Sequence, residues 1–171
     1  GKVLNTENKK TIMWGVNPKT EKKIPDKKDT KRSILFIGQI NRDQGLQYFF
    51  DFLKQNKNYS LNILGVCEKG LYKELQSLIK KNGITNQVFF PNKFFLDSEI
   101  QKIAKTCHVG IALYSTSNLI PTFYTDPGKV KAYAELGLPI LMSDTSAVAE
   151  YIKKFKAGEV FSNSTFILST A

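Results

Sequence analysis

The sequence predicts an α/β domain, a doubly wound parallel sheet of about six strands with helices on both faces. Three observations predict it. From Ser33 onward, short apolar runs alternate with segments whose apolar residues recur at i, i+3, i+4 and i+7. The short runs are continuous and rich in β-branched and aromatic residues, as in strands buried on both faces. The chain's 171 residues are 42% hydrophobic, enough for a packed core and about one domain's worth of length.

Each element has its own signal. ILFIG (Ile34–Gly38) is the first strand, ended by glycine. Leu46, Phe49, Phe50 and Leu53 then fall on one helical face. LNILG (Leu61–Gly65) is the second strand, and Leu71, Leu75, Leu78 and Ile79 mark a helix that stops at Asn82-Gly83. QVFF (Gln87–Phe90) is the third strand, halted by Pro91-Asn92. DSEIQKIAKTC opens on an Asp/Ser cap and carries Ile100, Ile103 and Ala104 inward. VGIALY (Val109–Tyr114) is the fourth strand. A fourteen-residue polar connection, Ser115–Gly128, precedes the short helix GKVKAYAELG; connections of that length are more often functional. PILMS (Pro139–Ser143), a helix after Thr145 and GEVF (Gly158–Phe161) complete the pattern. Strand–helix–strand repetition of this kind makes right-handed crossovers and hence a Rossmann-like fold.

Residues 1–33 stand apart. They hold ten Lys/Arg against four Asp/Glu, so most of the formal +10 charge lies in this short stretch. It lacks periodicity apart from TIMWGV around Trp14, and reads as an interdomain linker or arm, with residues 34–171 as the domain. The lysine-rich run Lys19–Arg32 is a solvated arm, with a membrane-surface or polyanion contact as the alternative. No RNA-binding or helix-turn-helix signature occurs, so no nucleic-acid partner is expected. No apolar run nears the ~18 residues of a membrane span, and no leader pattern opens the sequence. Two cysteines, Cys67 and Cys107, are too few for a disulfide scaffold, and a cytoplasmic location follows, with a peripheral contact at the inner face of the membrane left open.

Most catalytic constellations are missing. There is no G-x-G-x-x-G after the first strand, no Walker loop and no G-x-S-x-G elbow. The single histidine, His108, lies inside an apolar run and reads as structural; Cys67 reads as packing, though it follows a strand end. With no paired Asp-x-Asp or His cluster, neither a metal nor another cofactor is expected. No catalytic residue is assigned.

What remains is phosphate-binding equipment. In open parallel sheets ligands sit beyond the carboxyl ends of the strands. GQINRDQG (Gly38–Gly45) is a glycine-bounded loop feeding a helix N-terminus, where free N–H groups favour an anion; an ordinary strand-to-helix turn explains it equally well. Arg42 is its one cation. In YTDPGKVKAY, Asp126 and Pro127 suit a helix start, Gly128 permits close approach and Lys129 adds a charge. Thr145 and Ser146 offer hydroxyls at a third helix start, and Glu150 is either a helix-face charge or a ligand partner.

The ordered set ILFIGQINRDQGLQYFFDFL, LNILGVCEKGLYKELQSLI, VFFPNKFFLDSEIQKIAKTCHVGIAL, DPGKVKAYAELGLPILMSDTSAVAEYI and GEVF resembles the C-terminal half of the group-1 (family four) retaining glycosyltransferases of GT-B fold, over about residues 12–162. The resemblance implies a domain that binds a nucleotide-sugar donor, UDP- or GDP-linked, while an N-terminal acceptor domain of the same protein lies outside this chain. It implies transfer of the sugar to a glycan, lipid or protein acceptor in cell-surface polysaccharide synthesis. It assigns Gly38, Gln39, Asn41, Arg42, Gln44, Asp126, Gly128, Lys129, Thr145 and Ser146 to the diphosphate, and Asn92, Lys93, Phe94 and Tyr133 to the base and ribose. Two departures accompany it. Gln39 and Gln44 stand where the family usually has Arg and Lys, and Tyr124 and Ala132 stand where it has two glutamates. The alternative is therefore a degenerate binding or scaffold module without catalysis.

Overall fold

The computed structural model describes residues 31–114 and 127–162. The chain runs β1 (Arg32–Ile37), α1 (Leu46–Gln55), β2 (Tyr59–Leu64), α2 (Lys69–Lys81), β3 (Val88–Phe89), α3 (Asp97–Ala104), β4 (Val109–Ala112), α4 (Gly128–Glu135), β5 (Ile140–Ser143), α5 (Val148–Lys154) and β6 (Gly158–Phe161). All pairings are parallel, in the order β3-β2-β1-β4-β5-β6. Strand order reverses direction beside β1, so the topological switch point falls between β1 and β4.

Alternation along β1 divides the core. Ile34 and Phe36 join α1 (Leu46, Phe49, Phe50, Leu53) and α2 (Leu71, Leu75, Ile79) on one face. Leu35 joins Ala104 of α3, Val130 and Tyr133 of α4, and Val148, Ala149 and Ile152 of α5 on the other. Successive strand side chains point to opposite faces, and here both faces are covered by helices.

Boundaries differ from the sequence reading in places with physical causes. β1 begins at Arg32, before the apolar run, because Arg32 and Ser33 still pair with Tyr59 and Ser60. β3 is only two residues long. Gln87, expected in that strand, closes a 3-10 turn (Thr85–Gln87), and its buried amide lies within hydrogen-bond distance of the carbonyls of Leu53, Asn56 and Tyr59. The start of α3 is not capped by Asp97 or Ser98; Leu96 is the N-cap residue, and Glu99 accepts its backbone N–H at 2.8 Å. His108 is structural, as expected. Its Nδ1 accepts from the Ser33 N–H at 3.1 Å and its own N–H donates to Ser33 O at 2.7 Å.

Candidate functional site

Beyond the carboxyl ends of β1 and β4 lie Gly38, the turn leading to Gly45, Tyr114 and the start of α4. Gly38 has φ +117°, a conformation only glycine adopts readily, and it lets β1 turn away while still bound to β2. The Gly38 N–H donates to Leu64 O and the Ile40 N–H to Val66 O, so both loops leave the sheet together. A Cβ on Gly65 would collide with the Gly38 carbonyl, which explains the glycine at the end of the second run.

Two helices begin here without a side-chain cap. The N-cap of α1 is Gly45, in the left-handed region at φ +61°, and that of α4 is Pro127. Neither helix has an acidic residue in its first turn. At α2 the N-cap residue Glu68 accepts the Gly70 N–H; at α3 Glu99 accepts the N–H of the N-cap residue Leu96, and at α5 the Ser146 hydroxyl, one residue before the N-cap Ala147, accepts the Val148 N–H. Among the described residues, the N-caps of α1 and α4 supply no side-chain acceptor to the first N–H groups, and such N–H groups favour an anion.

Lys129 is the cation of this place. Its Nζ is wholly buried and has no hydrogen-bond partner. It lies 4.1 Å from the centre of the Phe36 ring and 5.4 Å from that of Tyr114, and its Cε passes close to Gly38. Burial lowers its pKa from the ordinary lysine value to about 7. The same enclosure pushes the Tyr114 phenol up to about 12. Phe36 and Tyr114 were not assigned to the site from sequence; both read there simply as strand residues.

The other expected residues divide. Gln44 is buried with its Oε1 unpartnered, inside the turn before α1. Gln39, Asn41 and Gly128 lie at the surface of these loops. Arg42 is not aimed at the switch point. Its guanidinium makes a bidentate pair with Glu74 on α2, at 2.9 and 2.7 Å, and that pair raises the Arg42 pKa and lowers that of Glu74. Asp126 lies outside the described residues. Thr145 and Ser146 are buried beside β5: Ser143 Oγ accepts the Tyr114 N–H at 2.9 Å and stands 3.3 Å from Thr145 Oγ1. Their hydroxyls brace the turn that backs Tyr114.

The residues expected at the base are placed differently from one another. Asn92 has φ +51° and clasps the Cys67 backbone through both ends of its amide, holding the loops after β2 and β3 together. Lys93 pairs with Glu99 at 2.8 Å and lies over the Phe95 ring, while Phe94 is 85% exposed. Tyr133 has no surface to offer a ligand. It is fully buried, accepting the Ile37 N–H at 3.0 Å and donating to Ile111 O at 2.8 Å, and it rivets β1 to β4 beneath the site. Gly110 makes room for its ring, where a Cβ would collide.

Among the described residues, no group of three His, Cys, Asp or Glu could hold a metal ion, and no helix is long and apolar enough to cross a membrane.

The family model described as "Glycosyl transferases group 1" matches residues 17–165. Comparison with curated protein sequences gives no match. Among solved structures, the fold is similar to that of the lipopolysaccharide outer core galactosyltransferase WaaB in its apo form, with TM-score 0.71 and 16% identity over 94% of this chain and 44% of that one. It is similar to the C-terminal domain of LpcC, a glycosyl transferase group 1 family protein from Francisella tularensis (TM-score 0.60, 17% identity, 81% of this chain and 71% of that one). Anabaena HepE in complex with UDP and glucose also matches (TM-score 0.55, 19% identity, 71% of this chain and 32% of that one). The chain therefore spans less than half the length of the WaaB and HepE chains.

Proposed function

The chain belongs to the group 1 glycosyl transferases, and from that premise we propose that it is the donor-binding half of such an enzyme. The diphosphate of a nucleotide-sugar sits at the switch point, held by the open N-termini of α1 and α4 and by Lys129. An N-terminal domain of the same protein brings the acceptor, a glycan, lipid or protein of the cell surface, and residues 1–33 form the connection to it. The transfer is then helped by electrostatic stabilisation of the departing diphosphate. UDP is the first donor nucleotide to try, because the similar HepE structure is a complex with UDP; GDP is the second. The protein works in the cytoplasm, in keeping with two free cysteines, and the lysine-rich run of residues 19–32 is part of the solvated connection to the N-terminal domain.

The observation that carries this reading is the buried, unpartnered Lys129 amine beside two helix starts whose N-cap residues offer no side-chain acceptor. An unpaired buried charge is costly unless something answers it. Calorimetric titration tests it: UDP binds, uridine binds far more weakly, and Lys129→Met weakens UDP binding by ~1.5–3 kcal/mol, the range for hydrogen bonds to charged groups. One observation favours the scaffold reading instead: the loop's arginine, Arg42, is already spent on Glu74. If neither UDP nor GDP binds, that reading replaces ours.

A further inference from the structure

We infer that the diphosphate enters this cleft together with one proton, taken up from solvent by the Lys129 amine, so that donor affinity falls as pH rises. The inference rests on the donor-binding reading above.

Lys129 Nζ is enclosed, and no carboxylate among the described residues pairs with it. β1 presents the Phe36 ring, Gly38 follows directly after it, and the segment after β4 presents the Tyr114 ring. α4 itself carries Tyr133, whose hydroxyl is bonded to β1 and β4. Among the described residues, the titratable groups around it are thus two phenols, both held neutral because burial raises their pKa. Arg42 and Glu74 satisfy each other. Two ring faces answer only part of the lost hydration of an ammonium. The amine's response is to give up its proton, and burial brings its pKa to about 7.

A diphosphate changes that balance. Its oxygens supply the missing counter-charge, so the protonated amine becomes the stable form in the complex. The balance is simple: neutral amine plus a proton from the buffer gives the ammonium that faces the phosphate. Above about pH 7 the terminal phosphate, with its last pKa near 6, has no proton left to exchange. Lys129 is then the titrating group, and linkage makes the association constant fall about tenfold per pH unit until the complex's own raised pKa is reached.

The experiment is calorimetric titration of the whole chain with UDP at pH 8, in HEPES and in Tris, whose ionisation enthalpies differ. A free pKa of about 7 gives an uptake of about 0.9 proton per UDP bound at that pH. Lys129→Arg supplies a cation that stays charged. It binds UDP with an uptake near zero and an affinity that no longer follows pH. Should that variant not fold, the pH 7, 8 and 9 series on the natural chain stands alone. UDP binding with under about 0.2 proton taken up overturns the inference and leaves the donor reading intact. No binding of UDP or GDP overturns both.

Discussion

Lys129 and Tyr133 are one turn apart on α4, and their environments dictate different behaviour. In the unliganded domain the Lys129 pKa is lowered by burial to about 7. Between that value and the ordinary lysine value near 10.4, the unfolded chain binds the proton more often than the folded one. Stability from this group therefore rises with pH through that window and is flat below it. Urea denaturation at pH 7, 8 and 9 shows the rise, and Lys129→Met removes it. Tyr133 is the opposite case, a polar group fully satisfied in the core. Tyr133→Phe leaves the Ile37 N–H and Ile111 C=O without that partner and destabilises the fold by ~1–3 kcal/mol, read from the urea midpoint. Lys129 was legible in the sequence because its place follows from helix position. Arg42 was not, since Glu74 is 32 residues away and their pairing depends on how α2 lies against the loop. Arg42→Ala accordingly costs UDP affinity less than Lys129→Met, by parallel titration.

At the scale of elements, the strands were legible as short runs, and the central ones, β1, β2, β4 and β5, are apolar runs buried on both faces. β3 shows the limit of that signal. Its run reads as four residues, but Gln87 turns inward to serve three backbone carbonyls and leaves a ladder of two. A polar residue with a tertiary task overrides the local pattern. Gln87→Leu strands those carbonyls and lowers stability by ~1–3 kcal/mol in denaturant titration, with the sheet otherwise kept. Helix ends were less legible than helix bodies. Glu99 rather than Asp97 serves the start of α3, because the extended Leu96 is the N-cap and Asp97 is already the first residue of the helix. That α1 and α4 lack side-chain caps follows from Gly45 and Pro127, residues whose side chains hold no acceptor. Their convergence on one spot is a matter of topology that no local pattern reveals.

The whole molecule places that spot. The order β3-β2-β1-β4-β5-β6 sets the switch point between β1 and β4, with Gly38, Lys129 and Tyr114 gathered at its mouth. The fold class and this end of the sheet could be read from the alternation of runs. The aromatic enclosure of Lys129 could not, because Phe36 and Tyr114 meet it only once β1 and β4 are neighbours. A chain spanning less than half of the WaaB and HepE chains is expected to bind donor without completing transfer. Assays of UDP release from UDP-sugars with added acceptor should show no turnover beyond slow hydrolysis. The central claim, that a nucleoside diphosphate docks at this switch point, is tested most directly by amide NMR of the labelled chain during UDP titration. The amides of Gly38, Gln39, Leu46, Gln47, Gly128 and Lys129 should move together and saturably. Shifts confined to the far ends of the strands, or none at all, would contradict it.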